Sequence, residues 1–135
     1  MSESNKQVSR RFTELFGTDD GSRADEVLDS DVVFHGLADG DLHGIAATKG
    51  FIAAYRAAFP DARSSVEAQV AEGDMVVTRW RARGTHRGPL GELPPTGRAF
   101  DVGGITMERI ADGRIVEVWV ARDELGLLRQ LAAMA

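Results

Sequence analysis

The sequence contains no cysteine, which excludes disulfides, thiolate zinc sites and a cysteine nucleophile. Its histidines, His35, His43 and His86, are far apart and show neither H-x-x-x-H nor H-x-H spacing. The glycines between residues 84 and 97 lie between predicted strands, so they do not form a phosphate-binding loop. A G-x-S-x-G nucleophile elbow is also missing. We therefore expect neither a metal nor a cofactor.

Long apolar runs and clusters of basic residues are also lacking. No apolar run approaches the roughly 20 residues of a membrane-spanning helix. The polar start MSESNKQVSRR lacks the apolar core of a secretory signal, so we expect a cytoplasmic location. The net charge of −5 argues against nucleic acid or an anionic membrane as the main partner. Lysine is scarce, with 2 Lys against 14 Arg, a usage typical of GC-rich bacterial genomes.

The 135 residues that are present suit a single domain, residues 1–135, with room for a substantial core. Apolar residues at helical spacing predict helices over 4–17 and 44–58, and a short helix is expected over 23–28. A short strand is predicted over 31–36. The second half of the chain changes to a period of two residues. It predicts strands at 62–72, 74–87, 98–110 and 114–122, followed by a helix at 124–133.

This order of elements, helices first and then long strands, predicts an α+β fold. The helices should pack on one face of a curved antiparallel sheet and leave a pocket between the two layers. Gly103 and Gly104 lie in the middle of a predicted strand, where glycine indicates a bulge or bend.

The strand MVVTRWRARGTH, residues 75–86, has two chemically different faces. Arginines at 79, 81 and 83 share one face, which must reach solvent or acidic partners because arginine is rarely buried unpaired. Trp80 and His86 are therefore predicted on the inner face. Ala82 and Gly84 between them leave room for a pocket.

The last strand ends in WVARD, residues 119–123, and either of its faces could be the inner one. Trp119 and Asp123 share one face, and the valines at 116, 118 and 120 share the other. An outward valine face would need cover, which a homodimer packed sheet to sheet would supply. An inward valine face would place Asp123 on the surface, where it suits the N-cap of the final helix.

Three segments carry a resemblance to a known family. They are AFPDARSSVEAQVAEGDMVVTRWRARGTHRG (58–88), PPTGR (94–98) and DGRIVEVWVARDELGLLRQL (112–131). With their FPD, GTH-x-G, PPTG and W-x-x-x-D elements in order, they resemble the SnoaL-like polyketide cyclase (ester cyclase) family over most of the chain. That family has the cone-like α+β barrel fold of the nuclear transport factor two superfamily, with N-terminal helices packed in a curved sheet around a pocket.

The resemblance implies roles for individual residues. The acid/base aspartate of the family falls on Asp123, which favours an inward-facing, catalytic Asp123, and the GTH histidine falls on His86. The best-known cyclases also carry a histidine on the strand before the last, where this chain has Met107 and Arg109. The expected substrate-binding residues are Trp80, Trp119, His35, Tyr55, Phe16 and Met107.

The resemblance also implies a reaction, ring closure by intramolecular aldol condensation without a metal or cofactor. An aspartate in an apolar pocket beside Trp119 and Trp80 would have a raised pKa and act as the base. Hydrogen-bond donors such as His86, Tyr55 or His35 would hold the enolate oxygen, as in ketosteroid isomerase. The expected partners are a small hydrophobic or polyketide-like substrate and a second copy of the chain.

Two alternatives remain at this point. The first is another enzyme on the same fold, epoxide-hydrolase-like or a hydroxylation partner, which would need acidic and arginine groups such as Asp101 and Arg109 near Asp123. The second is a non-catalytic module that binds a small molecule and needs the pocket alone.

Overall fold

The computed structural model describes residues 2–17 and 22–132. The helices are α1 (Ser2–Leu15), α2 (Ala24–Val27), α3 (Ile45–Ala58) and α4 (Glu124–Gln130). The strands are β1 (Leu28–His35), β2 (Leu42–His43), β3 (Arg63–Glu72), β4 (Met75–Thr85), β5 (Ala99–Ala111) and β6 (Arg114–Arg122). Within this part of the chain, no helix is long and apolar enough to cross a lipid bilayer.

All six strands form one curved sheet in the order β2-β1-β6-β5-β4-β3. Strands β3 to β6 form an antiparallel meander, and β1 adds to it by pairing in parallel with β6. The sheet does not close into a barrel, and the long helices α1 and α3 pack against its strands. The predicted α+β class and the cone-like arrangement of helices against a curved sheet are confirmed.

The N-terminal strand is longer than predicted, and one strand was missed. β1 begins at Leu28, directly after the single helical turn of α2, rather than at residue 31. β2 has only two residues, too few for a period of two to be visible in the sequence. The final helix ends at Gln130 rather than 133, and residue 133 lies outside the described residues.

The core has two parts on the inner side of the sheet. One contains Phe12 and Leu15 of α1, Ile52 of α3 and Val118 of β6, all of them buried. The other lies at the far end of α3, where Phe59 packs against Phe100 with ring centroids 4.6 Å apart. Burial of large apolar side chains at both ends fixes the helices against the sheet and leaves a gap between them.

The inner face of β4 is the one predicted. Val76, Thr78 and Ala82 are buried, and Arg79, Arg81 and Arg83 are exposed on the outer face. β5 keeps its alternation through Gly103 and Gly104, so the predicted bulge is absent there. Gly104 has a different role, because a Cβ at this position would overlap the indole ring of Trp80. The glycine lets that ring lie flat over β5.

The last strand faces the opposite way from the orientation that the resemblance favoured. Val118 and Val120 pair with Glu108 and Thr106 of β5 and face the helices. Trp119 therefore lies on the outer face. This corrects the prediction of an inward Trp119, and the reason is that the valines complete the apolar core. It also removes the exposed valine face that argued for a homodimer.

Candidate functional site

A narrow cavity lies between α1, α3 and the inner face of the sheet. Its apolar walls are aromatic for the most part, with Phe12, Phe16, Phe34, Phe51, Tyr55 and Trp80. Together with its open mouth it encloses about 510 Å³. Such a slot fits flat, largely apolar molecules, whose carbon surface would replace water against the rings.

Five residues that line this cavity carry a polar group: Thr13, Ser64 and Thr106 a hydroxyl, Tyr55 a phenol and Arg122 a guanidinium. Among residues 2–17 and 22–132, no carboxylate lines the cavity. The same residues contain no group of three His, Asp or Glu side chains arranged to hold a metal ion. The polar groups of the cavity can therefore donate hydrogen bonds to an oxygen of a ligand.

Arg122, the last residue of β6, carries the positive charge of the cavity. Its Nε donates to Glu124 at the start of α4, which fixes the side chain in place. Its two terminal nitrogens have no hydrogen-bond partner within the described residues. A fixed guanidinium with free donors in an apolar slot suits an anionic or strongly polarised oxygen.

Tyr55 of α3 is the second strong donor. Its ring packs edge-on against Phe16, with centroids 5.5 Å apart, and against Phe59 at 5.2 Å. Burial raises the pKa of Tyr55 to about 12, and the charge of Arg122 opposes this rise. The phenol therefore stays protonated near neutral pH and can donate its hydrogen. Two donors of this kind in a low-dielectric cavity can stabilise the oxyanion of an enolate.

Half of the predicted substrate-binding residues line this cavity. Trp80, Tyr55 and Phe16 are in its walls. Trp119, His35 and Met107 lie outside it: Met107 pairs with Trp119 on the outer face, and the His35 ring stacks on Trp119 with centroids 5.4 Å apart.

His35 is held between two carboxylates. Its Nδ1 lies 2.8 Å from an oxygen of Asp41, and its Nε2 lies 2.6 Å from an oxygen of Glu117. These hydrogen bonds, that to Glu117 first and that to Asp41 second, raise the pKa of His35 above its usual 6.5. The imidazolium thus ties the loop before β2 to β6, outside the cavity.

This arrangement predicts a pH-dependent contribution to stability. Because the folded-state pKa of His35 is raised, its contribution is complete below about pH 6.5 and is lost as the pH rises through the folded-state value. The difference in unfolding free energy between wild type and His35→Gln should therefore shrink as the pH rises above about 6.5. Urea unfolding at several pH values measures it. A difference that stays constant or grows with pH would contradict this role.

His86 is fully buried but does not line the cavity. Its Nδ1 accepts from the backbone amide of Thr96 at 3.2 Å, and its ring packs against Phe59 at 5.7 Å. In this position it ties the loop after β4 to the end of α3. Its predicted catalytic role stays a prediction.

Asp123 follows β6 on the outer side and is the N-cap of α4. Its Oδ1 accepts from the backbone amide of Gly126 at 2.8 Å, and the residue is exposed. Asp123 contributes instead to a shallow open groove on the outer face, beside Gly103 and Ala121. The N-cap hypothesis therefore describes this geometry, and the expected inward orientation of Asp123 is corrected.

Sequence reasoning missed Arg122 and Thr106. The signal for Arg122 was present, because it continues the alternation of Val118 and Val120 and must follow them to the inner face. Thr106 follows from the same rule on β5, where it lies two residues from Gly104. The assumed bend at the glycines hid its orientation.

Comparison with known proteins agrees with this architecture. The family model of the SnoaL-like polyketide cyclases matches residues 6–131. The solved structure of IdmH from Streptomyces antibioticus, a candidate polyketide cyclase, is 33% identical with a TM-score of 0.81 and covers 95% of this chain and 98% of its own. TsrD from Streptomyces laurentii is 30% identical, with a TM-score of 0.88 and coverage of 98% and 97%.

A third solved structure, a candidate SnoaL-like polyketide cyclase from Jannaschia sp. CCS1, is 28% identical with a TM-score of 0.89 and covers 99% of this chain and 95% of its own. No curated protein matched the chain. The family model spans nearly the whole described chain, and the chain belongs to the SnoaL-like polyketide cyclase family.

Proposed function

We propose that this protein is a cofactor-independent cyclase that closes a ring in a small polyketide-like carbonyl compound by an intramolecular aldol reaction. One observation carries the proposal: Arg122 and Tyr55 both line an aromatic-walled cavity, and they are close enough for the charge of Arg122 to act on the pKa of Tyr55. Family membership supports a polyketide-type substrate.

In the proposed reaction, Arg122 and Tyr55 stabilise negative charge on a substrate oxygen. A water molecule at the open mouth of the cavity takes the proton next to a carbonyl, and this proton later returns to the product. The negative charge that is left on the enolate oxygen is stabilised by the two donors. The enolate carbon then attacks a second carbonyl of the same molecule, forming a carbon–carbon bond and an alkoxide that takes up a proton. The narrow cavity contributes by holding the two reacting carbons close together.

An acid/base role of Asp123 rests on the family resemblance alone. Its carboxylate is exposed and is engaged with the amide of Gly126, and this geometry offers no direct path to a ligand in the cavity.

The alternatives have less support. A hydrolase would need a carboxylate and an arginine converging on a water. Asp101 does share the outer face with Arg81, at 2.6 Å, and with Arg83, at 3.2 Å, but all three lie outside the cavity. A binding module would use the same cavity without catalysis. A cytoplasmic location and a homodimer stay predictions, the latter now without the valine argument.

The proposal is tested with 1-tetralone, a flat bicyclic ketone with an exchangeable proton next to its carbonyl. We expect the protein to accelerate exchange of this proton for deuterium, followed by NMR, and to cyclise a synthetic linear poly-β-ketone ester, followed by mass spectrometry. If the protein neither accelerates the exchange nor cyclises the ester, the enzyme proposal is overturned in favour of the binding module.

Asp123→Asn separates the two roles of Asp123, because asparagine caps a helix about as well as aspartate. We expect its unfolding free energy to change by less than about 0.5 kcal/mol and its exchange rate by less than about threefold. A loss of about a hundredfold or more at unchanged stability would instead establish Asp123 as the acid/base residue.

A further inference from the structure

A buried carboxyl group lies directly behind the wall of the cavity. Glu108 of β5 is completely buried and follows Thr106, a cavity-lining residue, by two positions on the same face of the strand. Burial raises the pKa of Glu108 to about 7, against the hydrogen bond from Ser9. Both protonation states are therefore accessible near neutral pH.

The hydrogen bonds around Glu108 run in one direction. The amide of Gln69 donates to the Thr78 hydroxyl at 3.0 Å, which leaves the Thr78 hydrogen for Ser9, 2.7 Å away. Ser9 in turn donates to Oε1 of Glu108 at 2.6 Å. Because Oε1 already accepts a hydrogen, a proton taken up by Glu108 resides on Oε2.

Oε2 and the Thr106 hydroxyl are each other's natural partners. Both atoms are buried and, within the described residues, neither has a hydrogen-bond partner of ordinary geometry. They are nevertheless close enough for the Thr106 hydroxyl to lower the pKa of Glu108. An unpartnered polar pair of this kind is costly in a protein interior and is satisfied by a small rotation of the threonine.

Among the described residues, no charged group contributes to the shift in the pKa of this carboxyl. The residues facing it are Ser9 of α1, Val76 and Thr78 of β4 and Val118 of β6, with Gln69 of β3 behind Thr78. Charged residues nearby on α1 and β5 are paired with carboxylates away from Glu108.

Lys6 of α1 pairs with Glu3 at 3.6 Å, and Arg109 of β5 pairs with Asp74 at 3.1 Å on the outer side. The titration of Glu108 is therefore set by burial and by its hydroxyl neighbours.

We propose that the protonation state of Glu108, acting through Thr106, determines whether the cavity binds a carbonyl oxygen or a hydroxyl group of its ligand. When Glu108 is neutral, Oε2–H donates to the Thr106 oxygen, and the Thr106 hydroxyl, which is otherwise buried, is free to turn its hydrogen toward a carbonyl oxygen in the cavity. When Glu108 is ionised, Thr106 donates to Oε2 and offers the cavity an acceptor for a ligand hydroxyl. Glu108 is thus a positioning residue that selects ketone over enol or phenol.

This proposal rests on the proposed use of the cavity as the ligand site. Two probes of nearly equal shape test it, 1-tetralone with a carbonyl and 1-naphthol with a hydroxyl. When the pH rises from about 5.5 to about 8.5, the ratio of their dissociation constants should shift by roughly three- to tenfold in favour of naphthol. A change of this size corresponds to the net contribution of one hydrogen bond to binding.

Three variants make the test specific. Glu108→Gln presents an amide donor to Thr106 at every pH, so it should keep the low-pH preference for the ketone throughout. Thr106→Val should abolish the pH dependence of the ratio. Thr48→Val is the matched control, since this buried threonine of α3 donates to Gly44 of its own helix start and should behave as wild type.

A second measurement keeps the proposal falsifiable if Glu108→Gln does not fold. The infrared band of the protonated Glu108 carboxyl should titrate near pH 7 in the unliganded protein, and Thr106→Val should move this midpoint upward by removing a donor to the carboxylate. An unchanged midpoint in Thr106→Val overturns the coupling.

The outcomes distinguish this inference from the proposed function. A pH-independent ratio of the two dissociation constants overturns the inference even if catalysis is found. A shifting ratio without catalysed proton exchange supports it and overturns the cyclase alone. Failure of both probes to bind overturns the cavity as a ligand site, and with it both proposals.

Discussion

Replacing Arg122 by methionine should reduce the rate of 1-tetralone proton exchange by roughly a hundredfold or more. Methionine preserves the length and apolar contacts of the side chain but removes the charge and the donors. The loss should appear mainly in kcat, because the guanidinium meets full negative charge in the transition state rather than in the ground state. Steady-state kinetics over a range of ketone concentrations measures this.

Arg79→Met is the matched control, because Arg79 is an exposed arginine on the outer face of β4, two strands away from β6. It should leave the rate within about twofold of wild type, since a charge across the sheet is screened by solvent. Arg122→Met with wild-type kcat would show that the enolate oxygen does not meet this residue. A fall in kcat for both variants would point to the overall charge of the sheet instead.

Replacing Gly88 by alanine should destabilise the fold by about 3 kcal/mol, lowering the melting temperature by roughly 10 °C. A Cβ at this position would overlap the backbone carbonyl oxygen of Ala57 at the end of α3. The backbone amides of Arg87 and Gly88 donate to the carbonyl of Ala58, at 2.9 Å and 3.1 Å, so the loop cannot withdraw without losing these bonds. Thermal unfolding measures the effect.

Gly50→Ala provides a control of opposite sign. Gly50 lies within α3, where a Cβ would meet nothing within 4 Å, and alanine stabilises a helix interior by about 0.5–1 kcal/mol over glycine. If Gly88→Ala melts at the same temperature as wild type, the loop does not need its close approach to α3, and this account of the glycine is wrong.

The motifs that are recognisable in the sequence contact one another and stabilise the fold. Asp61 of FPD accepts from both the amide and the hydroxyl of Thr85 in GTH-x-G, each at 2.8 Å. His86 of the same element is bonded to Thr96 of PPTG. These elements could be found by pattern because each needs one residue type at one place, and they predicted the fold well.

The chemistry of the cavity was harder to predict because it depends on which face of β6 is buried. Alternation alone leaves two choices, and the choice is made by packing against α1 and α3 from distant parts of the chain. Once Val118 is buried, Arg122 must face the cavity and Asp123 must leave it. Glu108 was missed for another reason, since nothing local marks a glutamate in a strand as buried.

The central claim is that the cavity binds a carbonyl compound with its oxygen between Arg122 and Tyr55. A crystal structure of the protein with 1-tetralone tests this most directly. We expect the ketone oxygen within hydrogen-bond distance, about 2.7–3.2 Å, of a terminal nitrogen of Arg122 and of the Tyr55 hydroxyl. A ketone bound in the outer groove beside Asp123, or in the cavity with its oxygen away from both donors, would contradict it.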